Sequence, residues 1–68
     1  MKRGRRMWDV TVVIPNFNGI SYLDACLRTV SGQTGISPEI IVVDNGSSDG
    51  SQDFIRNHYP DVRLICLE

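Results

Sequence analysis

Residues 40–50 read IIVVDNGSSDG. Four β-branched side chains run without a break into a carboxylate, and the carboxylate into asparagine, glycine, serine and a second acid. Ile40–Val43 lacks the apolar–polar alternation of a strand with one wet face. An unbroken run of this kind is the pattern of a parallel strand covered on both sides. The tract that follows carries βα-turn chemistry, because glycine admits left-handed torsions and Asp and Ser side chains bond nearby amides. A buried strand passing into a helix start is the expectation, and Val10–Ile14 (VTVVI) is a second strand of the same type.

Working outward, Leu23, Cys26, Leu27 and Val30 fall at i, i+3, i+4 and i+7, one apolar stripe of a helix. Ser21 followed by Asp24 has capping-box spacing and places the helix start there, while Gly32 and Gly35 end it. A second helix is predicted to begin within SSDGSQD, with Asp49 or Ser51 capping its amides. Phe54, Ile55 and Tyr59 would face the core, and Pro60 stops the helix. Val62–Leu67 (VRLICL) reads as a third strand. The order strand, helix, strand, helix, strand predicts right-handed βαβ crossovers and a parallel α/β sheet in order 3-2-1. Since nothing covers the outer side of the first strand, the expectation is a half-domain over residues 10–68, preceded by a basic tail over 1–9. Its open strand edge would invite self-association.

The 68 residues make at most one small domain. A net charge of −1 gives no reason to expect a nucleic-acid partner. Lys2, Arg3, Arg5 and Arg6 nevertheless crowd the start. Met7-Trp8-Asp9 does not continue as a signal peptide would. A solvated, disordered tail is favoured over weak attraction to anionic lipid assisted by Trp8. Cys26 and Cys66 sit in apolar settings (ACL and ICL) without CxxC spacing, which reads as reduced core thiols in a cytoplasmic protein. Peripheral attachment at the inner face of a membrane is the alternative placement, since no apolar run is long enough to span one.

Ligands of parallel α/β sheets collect outside the carboxyl ends of the strands. There the chain places Pro15-Asn16-Phe17-Asn18-Gly19 and Asp44-Asn45-Gly46-Ser47-Ser48-Asp49-Gly50, and adjacent strands would bring both loops to one rim. An ionised Asp44 accepts hydrogen bonds and cannot donate them. A uracil or thymine ring offers one imino N–H to such a group and a flat face to Phe17. Asn16 and Asn18 could serve the ring carbonyls or the ribose, and the second helix would offer free amides. A pyrimidine nucleotide base between the two loops is therefore expected. For Ser47, Ser48, Asp49 and Ser51, loop capping is the favoured main role. For Phe17, covering the core stands level with stacking on a base, and His58 reads as a surface or half-buried histidine. The dinucleotide fingerprint, the phosphate loop, the nucleophile elbow and HExxH are all missing, so no catalytic residue and no metal site is assigned.

Three stretches in order, VTVVIPNFNG, LDACLRTVSGQT and EIIVVDNGSSDGS, resemble the start of a family 2 glycosyltransferase of the GT-A type, over residues 10–67. The resemblance implies a Rossmann-like three-layer α/β/α domain. It also implies inverting transfer of a sugar from a nucleotide-diphosphate sugar to an acceptor, in polysaccharide, cell-envelope or glycolipid synthesis. By that resemblance Pro15, Asn16, Phe17 and Asn18 lie against the nucleotide, Asp44 and the adjoining Asn45 belong to the base site, and Ser47 and Asp49 shape the loop beside it. The Asn-Phe-Asn-Gly and Asp-Asn-Gly-Ser-Ser-Asp-Gly-Ser segments resemble rhamnosyltransferase-like members, which favours a UDP- or dTDP-sugar. A divalent metal, Mg or Mn, is implied as well. Its DxD motif and the family's later general base have no counterpart in these residues, so the expectation is a nucleotide-binding half that is inactive alone. The alternative is a non-catalytic module that binds nucleotide or self-associates.

Overall fold

The structure, a computed structural model, describes residues 8–67. Its elements are β1 (Val10–Asn16), α1 (Ile20–Ser31), β2 (Pro38–Asn45), α2 (Ser51–His58) and β3 (Arg63–Leu67). The three strands are parallel in the order β1-β2-β3, with β2 central as expected. Register sets Val12 beside Ile40, Ile14 beside Val42 and Asn16 beside Asp44; across β2, Asp44 lies beside Cys66. Both leading strands run further than the β-branched residues alone predict. Pro15 is tolerated because β1 is an edge strand in this sheet, where a missing N–H costs no ladder bond on the open side. The extension makes Asn16 and Asp44 in-register neighbours at the carboxyl end of the sheet.

Both helices pack on one face. Leu23 and Leu27 from α1, Ile55 from α2, and Ile40 and Val42 from β2 form the buried core, with Ile14, Val30, Phe54, Tyr59, Val62 and Leu64 packed around it. Two right-handed crossovers stepping the same way across a sheet place their helices on the same side. Strand alternation then puts Val13, Ile41, Val43, Ile65 and Leu67 on the opposite face. Val13 is 58% exposed and Leu67 48%. The double coverage expected from the β-branched runs is thus present, among the described residues, on one face only.

Several local expectations need correction. The Ser21–Asp24 capping box does not form: α1 begins at Ile20 with Gly19 as N-cap and no side-chain cap from that residue. Asp24 instead accepts from Arg28 at 2.6 Å and from the Tyr59 hydroxyl at 2.7 Å, which ties α1 to the end of α2. These contacts hold its carboxyl below the usual range and push the Tyr59 hydroxyl up, the Tyr59–Asp24 bond being the main cause of both. The N-cap position of α2 is Gly50, at φ 91°, a torsion that costs glycine little. Cys66 is exposed and its Sγ accepts a contact from Arg56, so it is no core thiol; Cys26 is half-buried, and both are free. β3 starts after Val62, whose N–H goes to the Tyr59 carbonyl.

Lys2, Arg3, Arg5 and Arg6, the bulk of the expected tail, lie outside the described residues. Asp9 is anchored: its N–H donates to the Ser37 carbonyl, and the Ser37 N–H donates to its carboxylate at 2.7 Å. No helix among the described residues is long and apolar enough to cross a membrane.

Candidate functional site

Asp44 is completely buried, on the helix-facing side of the central strand. Four donors converge on it. The Asn16 amide reaches Oδ1 at 2.8 Å and the Ser47 hydroxyl reaches the same oxygen at 2.7 Å. The Ser47 backbone N–H reaches Oδ2 at 2.9 Å, and the Gln52 amide reaches it at 2.7 Å. Burial by itself pushes a carboxyl up, but the bonds from Gln52, Ser47 and Asn16 outweigh it and hold Asp44 well below the ordinary carboxylate range. Charge and lone pairs are satisfied inside the protein. The acceptor role toward a ring N–H that the sequence suggested for Asp44 therefore meets a carboxylate already bonded on both oxygens and closed to solvent. In this arrangement Asp44 builds the loop.

Ser47 is the common node. Besides donating to Asp44, its Oγ accepts from the Asn16 amide at 3.3 Å and from the Asn18 backbone N–H at 2.8 Å. Asn18, at φ 51°, returns the contact by accepting from the Ser48 N–H at 2.8 Å. The left-handed torsion is one that Asn tolerates better than most residues. Asp49 spans the helix starts: it accepts from the Ile20 N–H at 3.0 Å, from the Ser51 N–H at 3.0 Å and from the Ser51 hydroxyl. Its carboxyl is held low, chiefly by the Ser51 hydroxyl, against the opposing effect of burial. The capping role favoured for Asp49 is thus filled for two helices at once, which leaves neither the Ile20 nor the Ser51 amide free. Asn16, Asn18, Asp44, Ser47 and Ser48 form one lattice that locks the two rim loops together, and Asp49 adds a separate tie to the start of α1.

What the lattice leaves open is the outer surface. Phe17 is 64% exposed, so it does not cover the core, and Asn18, Asn45 and Ser48 are exposed as well. Pro15, Phe17 and Asn18 share a shallow hollow of about 340 Å³ with Tyr22 and Cys26. The sequence reading gave Tyr22 no role; it is 75% exposed, in the first turn of α1, and only the fold brings it to this hollow. A comparable hollow bounded by Trp8, Pro38, Tyr59 and Pro60 lies at the amino ends of the strands, away from the rim. His58 is exposed and stacks on Phe54, with ring centroids 4.8 Å apart.

For a divalent metal the described residues are a poor fit. They hold no group of three potential ligands, and Asp44 and Asp49 direct their oxygens at N–H and O–H donors.

Comparison with known proteins agrees with this architecture. The family model "Glycosyl transferase family 2" matches residues 11–68. An uncharacterized glycosyltransferase of Nostoc is 41% identical over 46 residues, covering 68% of this chain and 14% of that protein. Glycosyltransferase GlyA of Streptococcus pneumoniae is 35% identical over 60 residues, 87% of this chain and 9% of its own length. Validoxylamine A glucosyltransferase of Streptomyces hygroscopicus subsp. jinggangensis is 35% identical over 57 residues, 81% and 14% respectively. The chain therefore spans only a small part of these relatives. No solved structure matches. With a family match over nearly its whole length and a βαβαβ sheet that gathers two laced loops at its carboxyl edge, this chain belongs to glycosyltransferase family 2.

Proposed function

We propose that these residues bind and orient the nucleotide of a nucleotide-diphosphate sugar, in a protein that transfers the sugar to a polysaccharide or glycolipid acceptor. The observation that carries this reading is the lacing of the β1–α1 and β2–α2 loops around buried Asp44 at the strand ends, in a family 2 chain. Rigid loops present Phe17, Asn18 and Asn45 outward. Phe17 stacks on the base, and the two amides donate and accept at its carbonyls, its N–H or the ribose. Asp44, Asn16, Ser47 and Asp49 contribute by fixing those groups in place, and Pro15 by shaping the wall of the hollow. A pyrimidine, as UDP or dTDP, suits this small rim.

The reaction is direct displacement at the anomeric carbon, with the nucleotide diphosphate leaving. It needs offset of leaving-group charge and a base for the acceptor hydroxyl. The described residues hold no group assigned to either task, so the 68 residues alone bind donor without transferring sugar. In calorimetric titration, UDP or dTDP should bind more tightly than GDP and ADP, and Phe17→Ala should weaken the pyrimidine nucleotides. Equal affinity for all four, or binding of none, overturns the assignment.

A second reading, a non-catalytic module that associates with itself, is favoured by one observation: Val13, Ile65 and Leu67 on the bare sheet face are 58%, 38% and 48% exposed. A concentration-dependent dimer in sedimentation, abolished by Val13→Lys, would support it. Placement at the inner face of a membrane rests on the basic start of the sequence beside Trp8, which is 41% exposed. Co-sedimentation with anionic but not neutral vesicles tests that placement.

A further inference from the structure

We infer that Gln52 is a positioning residue for the nucleotide rim, acting through Asp44. The inference rests on the proposed nucleotide site and adds a residue to it. Of the four hydrogen bonds into Asp44, three come from the laced loops themselves, through Asn16 and Ser47. The fourth comes from α2: Gln52, in its first turn, donates its amide to Oδ2 at 2.7 Å. This bond couples the helix to the carboxylate, and the carboxylate to Ser47, which in turn holds Asn16 and Asn18.

Gln52 is half-buried while Asp44 is completely buried, so losing the amide would leave Oδ2 with one donor in a site closed to water. A buried carboxylate deprived of a donor holds its charge less well and its orientation less firmly. Every donor to Asp44 is neutral. The charged or titratable groups on the surrounding elements are Tyr22, Asp24, Cys26 and Arg28 on α1, Glu39 on β2, Asp49 in the loop, Asp53, Arg56 and His58 on α2, and Arg63 and Cys66 on β3. None of these is a hydrogen-bond partner of Asp44, and Gln52 variants leave all of them in place.

The test compares Gln52→Met, which keeps length and helix propensity but no donor, with Gln52→Lys, which restores one. Gln33→Met, in an exposed loop, is the control. UDP and dTDP affinities are measured from pH 7 down to the acid unfolding limb, and acid unfolding is followed separately by circular dichroism without nucleotide. Gln52→Met should bind about tenfold more weakly at pH 7, the order expected for one hydrogen bond to a charged group. Asp44 keeps its charge, and the loop its shape, only above the folded pKa. Because the variant raises that value, both loss of binding and acid unfolding should begin at higher pH. Gln52→Lys should restore both. Wild-type affinity and an unchanged acid limb in Gln52→Met would overturn the inference, as would failure of Gln52→Lys to rescue a Met variant that cannot fold. If no variant, wild type included, binds nucleotide, the proposed function fails, while the acid-unfolding midpoints still decide the role of Gln52.

Discussion

Replacing Asp44 by Asn changes almost no volume and yet should unfold a large part of the domain's stability margin. The four donors that meet at Asp44 are arranged for an acceptor with two oxygens. In Asp44→Asn one oxygen becomes an NH2 group, so either the Asn16 amide and Ser47 hydroxyl, or the Ser47 N–H and Gln52 amide, face a donor. Each stranded buried donor costs about 1–3 kcal/mol, hence roughly 2–6 kcal/mol for the pair, less whatever half-buried Gln52 recovers by turning to water. A domain of this length has a total stability of roughly 3–10 kcal/mol. With a urea slope near the low end for small proteins, about 1 kcal/mol/M, the midpoint should fall by roughly 2 M or more. Urea unfolding at pH 7, read through Trp8 fluorescence and far-UV circular dichroism, measures this directly. The neighbouring Asn45→Asp, at an exposed position, should stay within about 0.5 kcal/mol of wild type. A midpoint for Asp44→Asn indistinguishable from wild type would refute the claim that this carboxylate organises the loops, and would return it to the role of a ligand contact.

Gly19→Ala should destabilise by about 1–3 kcal/mol in thermal melting, because its Cβ would stand 2.4 Å from the Asn16 Oδ1 and push away an amide already committed to Asp44. Phe17→Ala should leave the melting temperature unchanged, given its 64% exposure, yet weaken UDP binding by about 1–3 kcal/mol in calorimetry, the range for base–aromatic stacking. Leu27→Ala, at a completely buried position, should cost about 2–5 kcal/mol in urea unfolding, whereas Val13→Thr on the bare face should cost under about 0.5. For pH, Asp44 and Asp49 both sit below the unfolded carboxyl value of about 3.9, so their stabilisation is fully present above that value and lost as pH falls through the folded ones. Stability from these groups should be flat from pH 8 to 5 and decline below about 4, and Asp49→Asn should flatten that acid limb.

The βαβαβ order and the central place of the 40–43 strand were legible because β-branched runs and an i, i+3, i+4 stripe report directly on burial. The rim was legible too, since Asn16, Asn18, Ser47 and Asp49 are residue types that bond backbone and one another in turns. What spacing could not convey was direction. Asp44 and Asn45 are adjacent in sequence, and only the pleat decides that the acid faces the helices while the amide is left exposed. The capping box failed for a related reason. Ser21 and Asp24 have the right spacing, but the helix starts earlier, at Ile20, whose amide bonds the distant Asp49, and the Asp24 carboxylate is taken by Arg28 and Tyr59. Local signals name the atoms that need partners; tertiary contacts choose among them. Tyr22 illustrates the remaining blind spot, because an exposed aromatic in the first turn of an amphipathic helix carries no mark until the β1–α1 turn folds back and sets it beside Phe17 and Asn18.

These contacts constrain how a nucleotide diphosphate could be held. Paired helix starts at the end of a parallel sheet are natural anion sites, because their first amides lack intrahelical partners and the helix dipoles add positive potential. Here the amides of Ile20 and Ser51 both bond Asp49, so a resident carboxylate already occupies the position that a phosphate would seek. A phosphate brought to the same amides would have to displace that carboxylate or approach its charge. The nucleotide's neutral end, the base and ribose, meets no such obstacle at Phe17, Asn18 and Asn45. On the proposed donor site this arrangement would separate two tasks, the laced loops reading the uncharged end of the donor and the diphosphate lying away from the helix starts. Asp49→Asn tests this separation. Removing the charge while keeping an acceptor for at least one amide should leave uridine affinity unchanged and raise UDP affinity relative to uridine; an identical UDP-to-uridine ratio in the two proteins would show that the helix starts have no bearing on where the phosphates lie.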